Sequence, residues 1–285
     1  MIRRTIVQAA VTLGLAASIA ACGAGQHPAD PTVSNRDGEG SPSGHHQHAS
    51  LEESSKWMGV FELAAAPVPD MPTELRIRIK DRDRVTLKAY EQHHEKLMHL
   101  IVVNRELTHF DHLHPEPLEQ GSFTAAVTFP GEGAYKLFAD FVPEGRMNAT
   151  VSDWITVGEA AVQEEPIMLL PDDREVKTTG SLAVSLALSS HRAGDNAALT
   201  FKLQDAETMN SITDLEPYLG EIGHVVILSS DAEQYLHVHP SADAGTGPEA
   251  AFQAVFPQAG SYKLWGQFMH RGELHTIPYV VEITE

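Results

Sequence analysis

The sequence predicts an all-β chain of two tandem immunoglobulin-like β-sandwich domains, set behind a lipoprotein signal and a flexible tether. Three observations predict it. One long pattern recurs about 125 residues downstream, which is too long a period for a solenoid and suits a duplicated domain. Short runs of alternating apolar and polar residues fill the body, as strands with one buried face require. Turn-forming clusters such as Pro130-Gly131-Glu132-Gly133 and Gln258-Ala259-Gly260 separate those runs.

In chain order, residues 1–21 read as a lipoprotein signal peptide. Arg3 and Arg4 precede a mostly apolar stretch from Ile6 to Ala20, and Ile19-Ala20-Ala21-Cys22 reads as a lipobox. Cys22 is the single cysteine of the chain, and as the lipidated first residue of the mature protein it has an evident use. Residues 22–56 read as a polar tether with too few large apolar side chains to fold alone. The tether carries His45, His46 and His48, imidazoles that no scaffold preorganises. The first sandwich is expected over 57–157, a linker over 158–179 and the second sandwich over 180–285.

Strands are expected in the first domain at 75–79, 85–89, 100–103, 123–129, 135–141 and 154–157. In the second they are expected at 182–188, 199–203, 225–228, 235–238, 252–256, 262–268 and 279–283. Residues 206–220 read as a long loop. About seven short strands in roughly 100 residues is the signature of a small sandwich.

Charge and composition exclude some functions. The net charge is −19, and losing Arg3 and Arg4 with the signal would take it to −21. Nucleic acid is therefore an unsuitable partner, because binding it needs clustered Lys and Arg. After the signal, no apolar run of 18 or more residues predicts a spanning helix. With Cys22 consumed, any metal must be held by histidine, methionine, carboxylate or backbone.

The repeat carries the chemistry. His99 precedes an apolar run, and His112-Leu113-His114-Pro115 follows at a fixed offset. His224 stands in the same relation to His237-Val238-His239-Pro240. Around these, Phe129 and Tyr135 match Phe256 and Tyr262. Residues i and i+2 of a strand share a face about 6.5 Å apart, so two imidazoles at that spacing can lean onto one ion. The expectation is one site per domain: His99, His112 and His114 in the first, and His224, His237 and His239 in the second. Additional ligand candidates are His94 and Met98 in the first copy and His275 in the second. Glu91 and Glu216 correspond to each other as ligands or as groups orienting a histidine. His270 reads as a solvated turn residue. All-nitrogen sites suit copper first and zinc second. A structural alternative stands beside this: strand histidines hydrogen-bonded to backbone, with the prolines ending the strand.

These motifs, His94-Glu95-Lys96-Leu97-Met98-His99 with His112-Leu113-His114-Pro115 and their second-copy counterparts, resemble bacterial secreted proteins of the YtkA-like kind. The resemblance covers about 57–285. It implies small extracytoplasmic β-sandwich modules that handle copper or other heavy metals, with ligation on His99, His112, His114, His224, His237 and His239. The expectation that follows is a lipoprotein anchored through Cys22 on the extracytoplasmic face of a membrane, in the periplasm or at the cell surface, with an outer membrane included. It would bind a transition metal for sequestration or for delivery to a metal transporter or chaperone. It is not expected to be an enzyme. The alternatives are a metal-free structural or partner-binding sandwich, and a metal-dependent enzyme using Glu91 or Glu216 as base.

Overall fold

The computed structural model describes residues 51–159, 167–173, 176–238, 240–241 and 245–285, with backbone only at Leu51 and His237. The signal, Cys22, the tether histidines, His239 and much of the linker lie outside the described residues, as does the His237 side chain.

The chain is nearly all β, in two repeats. The first holds β1 (Trp57–Leu63), β2 (Pro72–Asp81), β3 (Tyr90–Glu91), β4 (Met98–Asn104), β5 (Phe110–Leu113), β6 (Glu116–Pro117), β7 (Ser122–Thr128), β8 (Gly133–Pro143) and β9 (Ala149–Val157). The second holds β10 (Val176–Thr179), β11 (Leu182–Leu188), β12 (Asn196–Asp205), β13 (His224–Ser229), β14 (Tyr235–Val238), β15 (Glu249–Val255), β16 (Gly260–His270) and β17 (Glu273–Ile283). In the first repeat one sheet runs β1-β2-β7-β6. The other runs β3-β8-β4-β5, with β9 beside β8. In the second repeat the sheets run β10-β11-β12-β15 and β14-β13-β16-β17.

Each repeat closes its own core between its two sheets. Leu75, Ile77 and Ile79 of β2 meet Met98, Leu100 and Val102 of β4 and Leu137 and Phe141 of β8. Leu199, Phe201 and Leu203 of β12 meet Val225 and Ile227 of β13 and Leu264 and Phe268 of β16. The recurring Phe–Tyr spacing has a structural reason. The Phe129 and Tyr135 rings pack 4.9 Å apart and those of Phe256 and Tyr262 5.0 Å apart. Each tyrosine hydroxyl then donates to a carbonyl of the preceding turn, Gly131 or Gln258.

A third core joins the repeats. Ile101 and Val103, on the other face of β4, pack with Phe138, Val226, Leu228 and Trp265. Thus β4 and β13 are buried on both faces, which is why each reads as a continuous apolar run rather than an alternating one. The junction is reciprocal. Phe110 of the first repeat stacks on Trp265 of the second at 4.6 Å, and Tyr235 of the second stacks on Phe138 of the first at 5.0 Å. These four residues occupy matching positions in the two copies.

Three local readings differ from expectation. Residues 85–89 form no regular strand; the segment meets the end of β2 through an isolated Thr86–Lys80 bridge, with Leu87 N donating to the Ile79 carbonyl and Asp81 N to the Val85 carbonyl. The stretch read as linker contains β10, which pairs with β11 and belongs to the second repeat. The end of the tether is also folded: Glu53, in a short helix over Leu51–Ser54, is buried against Lys56 (2.7 Å) and Trp57 Nε1 (3.2 Å).

Candidate metal centre

Alternation along β4 puts His99 on the same face as Ile101 and Val103, the face that meets the other repeat. Along β13 it puts His224 with Val226 and Leu228. The two histidines therefore approach one junction, with ring centroids 6.3 Å apart. Both are buried, His99 to 1% and His224 to 0% exposure.

An identical device orients each. His93 and Lys96 exchange backbone hydrogen bonds across His94 and Glu95, whose φ values are +47° and +63°. Tyr218 and Glu221 do the same across Leu219 and Gly220, at +54° and +79°. Two left-handed central residues make a type I′ turn. The turn aims the His93 carbonyl at His99 Nε2 (3.0 Å) and the Tyr218 carbonyl at His224 Nε2 (3.1 Å). A carbonyl only accepts, so each Nε2 carries the proton and each Nδ1 keeps its lone pair.

On β5, His112 lies in register with Ile101, next to His99. His99 Nδ1 stands 3.0 Å from His112 Nε2. The outer nitrogen, His112 Nδ1, donates to Gln267 Oε1 of the second repeat at 2.6 Å. With the amide in this orientation both facing nitrogens present lone pairs, which a cation between them would bind. His114 completes the triad. Ligand atoms of His99, His112 and His114 all lie within 4.8 Å of one another. His114 Nε2 is buried with no hydrogen-bond partner among the described residues. The ring centroids are 5.2, 5.2 and 4.9 Å apart. With metal–nitrogen bonds of 2.0–2.1 Å, imidazoles at tetrahedral angles would sit about 5.2 Å apart.

The surroundings keep these imidazoles neutral. Burial lowers His99 to about 3 and His112 to about 4, each pushed further by its neighbouring imidazole. Burial likewise lowers His94 and His114 to about 4. Opposite His99 in register is Asp140, wholly buried, whose carboxyl is raised by burial and pulled back by His99 and His93. Its oxygens lie 3.4 Å from Thr150 Oγ1 and from the Tyr235 hydroxyl of the other repeat. Gln267 holds the corresponding place opposite His224. Sequence reasoning passed over both Asp140 and Gln267. The signal was available: each sits one residue before the phenylalanine that aligns the copies.

The remaining candidates divide. His94 comes within 4.9 Å of the His224 ring, and its Nδ1 is 3.6 Å from Glu221 Oε1. Met98 points the other way, into the first core, because it alternates with His99. Glu91 accepts from Gly145 N at 2.7 Å and Glu216 from Gly272 N at 3.2 Å, so each braces the turn of a long hairpin. His275 donates from Nδ1 to the Thr179 carbonyl at 3.1 Å and its ring neighbour is His270 (6.5 Å). His270 is not the solvated turn residue its sequence position suggested but fully buried. The backbone of His237 pairs with Val226, matching His112 with Ile101.

A family described as "Domain of unknown function (DUF8832)" matches residues 58–158 and again 176–285. No curated protein matches the chain. Among solved structures, a tetra-tandem repeat from the extending region of a large adhesion protein is 9% identical. It covers 80% of this chain and 49% of its own length, at TM-score 0.27. Domains 4 and 5 of the S-layer protein SbsC are 13% identical, over 84% of this chain and 100% of theirs, at TM-score 0.22. A β-glucuronidase of Parabacteroides merdae is 10% identical over 79% and 24%, at TM-score 0.20. The chain thus spans about half of the adhesion-protein fragment and about a quarter of the glucuronidase. At these TM-scores the likenesses carry no further argument.

Proposed function

The chain belongs to this family of unknown function, in two copies, and from that premise we propose that it binds a transition-metal ion, copper first and zinc second, at the junction of its repeats. The ligands are His99 Nδ1, His112 Nε2 and His114. One observation carries the reading: two imidazole nitrogens face each other at 3.0 Å while both outer nitrogens donate elsewhere. A metal ion between them would accept both lone pairs. The His93 carbonyl and Gln267 act as the outer partners that fix tautomer and ring orientation in metal-binding histidines. An all-nitrogen set favours copper in the divalent affinity order. Because the imidazoles are neutral well below pH 7, protons do not compete for the site at neutral pH.

On this reading Cys22 anchors the protein on the extracytoplasmic face of a membrane. The tether lets it reach, and the ion is sequestered or passed to a transporter or chaperone. The YtkA-like resemblance supports the same role. The test is elemental analysis of the mature chain after dialysis against equimolar copper, zinc, nickel and manganese. Copper should be retained, and His112→Asn with His114→Asn should lose one copper per chain without a change in far-UV circular dichroism. Background levels of all four metals in the unaltered chain refute the proposal.

A further inference from the structure

The second repeat buries a pair of imidazoles that the first lacks. His270 ends β16 and His275 lies on β17. His275 is in register with Phe268, two residues before His270, so both rings project from the core-facing side of one hairpin. Exposure is 0% for His270 and 4% for His275. Neither ring nitrogen of His270 has a hydrogen-bond partner among the described residues, and neither has His275 Nε2. Buried polar groups are almost always paired, so three such atoms in one place need a reason.

The chemistry of each atom can be assigned. His275 Nδ1 donates to the Thr179 carbonyl, so Nε2 carries the lone pair. Gly180, with φ +54°, leaves room for this ring; a Cβ there would fall 2.7 Å from His275 Cε1. The Asp214 carboxylate, 71% exposed, reaches in from the long loop before β13. Its Oδ1 is 3.4 Å from His270 Nε2, without the alignment of a hydrogen bond. The fold does not require these side chains. At the matching positions the first repeat has Pro143, Ala149 (opposite Phe141 as His275 is opposite Phe268) and Ala89, and its hairpin closes without imidazoles.

We propose that His270, His275 and Asp214 hold a second metal ion, a divalent ion of the zinc class with water completing its shell, independent of the central triad. Two nitrogens and a carboxylate are a common donor set for such an ion. The ring centroids are 6.5 Å apart. Imidazoles in line across a metal would be about 6.3 Å apart and at tetrahedral angles about 5.2 Å. Among the described residues no hydrogen bond holds the His270 ring, so binding would turn it toward His275, and the exposed side of Asp214 is the way in.

The experiment is zinc retention and cobalt(II) absorption on the full mature chain. The chain carries His112→Asn and His114→Asn to silence the triad, and His45→Asn, His46→Asn and His48→Asn to silence the tether. One zinc per chain should remain, and cobalt should give the intense visible bands of a low-coordinate nitrogen–oxygen site. Asp214→Asn, at an exposed position that leaves the fold alone, should weaken zinc at least tenfold. His275→Ala, the residue the first repeat carries opposite its matching phenylalanine, should abolish binding. No retained zinc in the silenced chain, or unchanged affinity in both variants, overturns the proposal. The outcome is separable from the central site, which is read by the one copper per chain that the triad variant loses.

Discussion

The two repeats share a frame and differ in what they mount on it. Both aim a buried histidine with a type I′ turn and an upstream carbonyl, at 3.0 Å in the first and 3.1 Å in the second. Both brace the long hairpin with a glutamate on a glycine N–H. Both offer one aromatic of the edge strand to the other repeat. The differences sit beside the histidines. Asp140 stands opposite His99 where Gln267 stands opposite His224. His270 and His275 stand where the first repeat has Pro143 and Ala149. Duplication therefore kept the parts that position imidazoles and varied the parts that decide how they are charged and partnered. A reciprocal junction leaves each copy free to specialise while the other supplies its cover.

The comparison breaks most severely at the stacked aromatics. Trp265→Ala and Phe138→Ala should each cost about 3–5 kcal/mol in urea unfolding, because both large side chains fill the shared core. In either variant the single transition should divide into two as the repeats uncouple. Loss below about 1 kcal/mol, against that range, would show that the junction does not bind the repeats together.

Acid should come next. His94, His112 and His114 are lowered from 6.5 to about 4 and His99 to about 3. Below pH 6.5 the unfolded chain takes up protons that the folded chain refuses, so stability without metal rises with pH across this window. It is fully present above 6.5 and falls progressively as pH drops toward 3–4. Replacing His99, His112 and His114 with asparagine should flatten that slope; a slope left intact would place the acid sensitivity elsewhere.

Gln267→Leu removes the partner that holds His112 from across the junction. Copper affinity should fall about 10- to 100-fold, the usual cost of losing such a partner. Gln267→Glu, which still accepts from His112 Nδ1, should retain most of it. Equal losses in both variants would mean that Gln267 acts through packing alone. Smallest of all, Glu91→Ala and Glu216→Ala should each cost about 1 kcal/mol for one exposed hydrogen bond. Metal stoichiometry should stay unchanged, and a lost ion in either variant would restore these carboxylates as ligands.

Much of the frame was legible in the residues. The recurring offsets marked two copies, alternation marked β2, β8 and most of the second repeat, and the paired Phe–Tyr spacing marked a turn that both copies build. Val85–Ala89 shows the limit of alternation, which reports shared faces and not how far a segment stays paired; this one bridges β2 at Lys80 and forms no regular strand. For β10 the signal was hidden in a stretch whose prolines and acids looked like linker. Histidine spacing brought His99, His112 and His114 together on local grounds, since a hairpin and an i, i+2 pair are short-range geometry.

What the sequence determined by itself was periodic and local: which residues share a face, where the chain turns, and which side chains are duplicated. What only the tertiary structure decided was which surface covers each face. Period two places His99 with Ile101 and Val103, but nothing in that run says whether water or a second repeat lies opposite. The answer comes from docking β4 against β13, which sets Gln267 beside His112 from 155 residues away. It also buries His270 at the end of a hairpin that reads as an exposed turn. Burial and long-range partners set the charge of an imidazole and the direction of its lone pair, and both depend on groups that no local pattern can name.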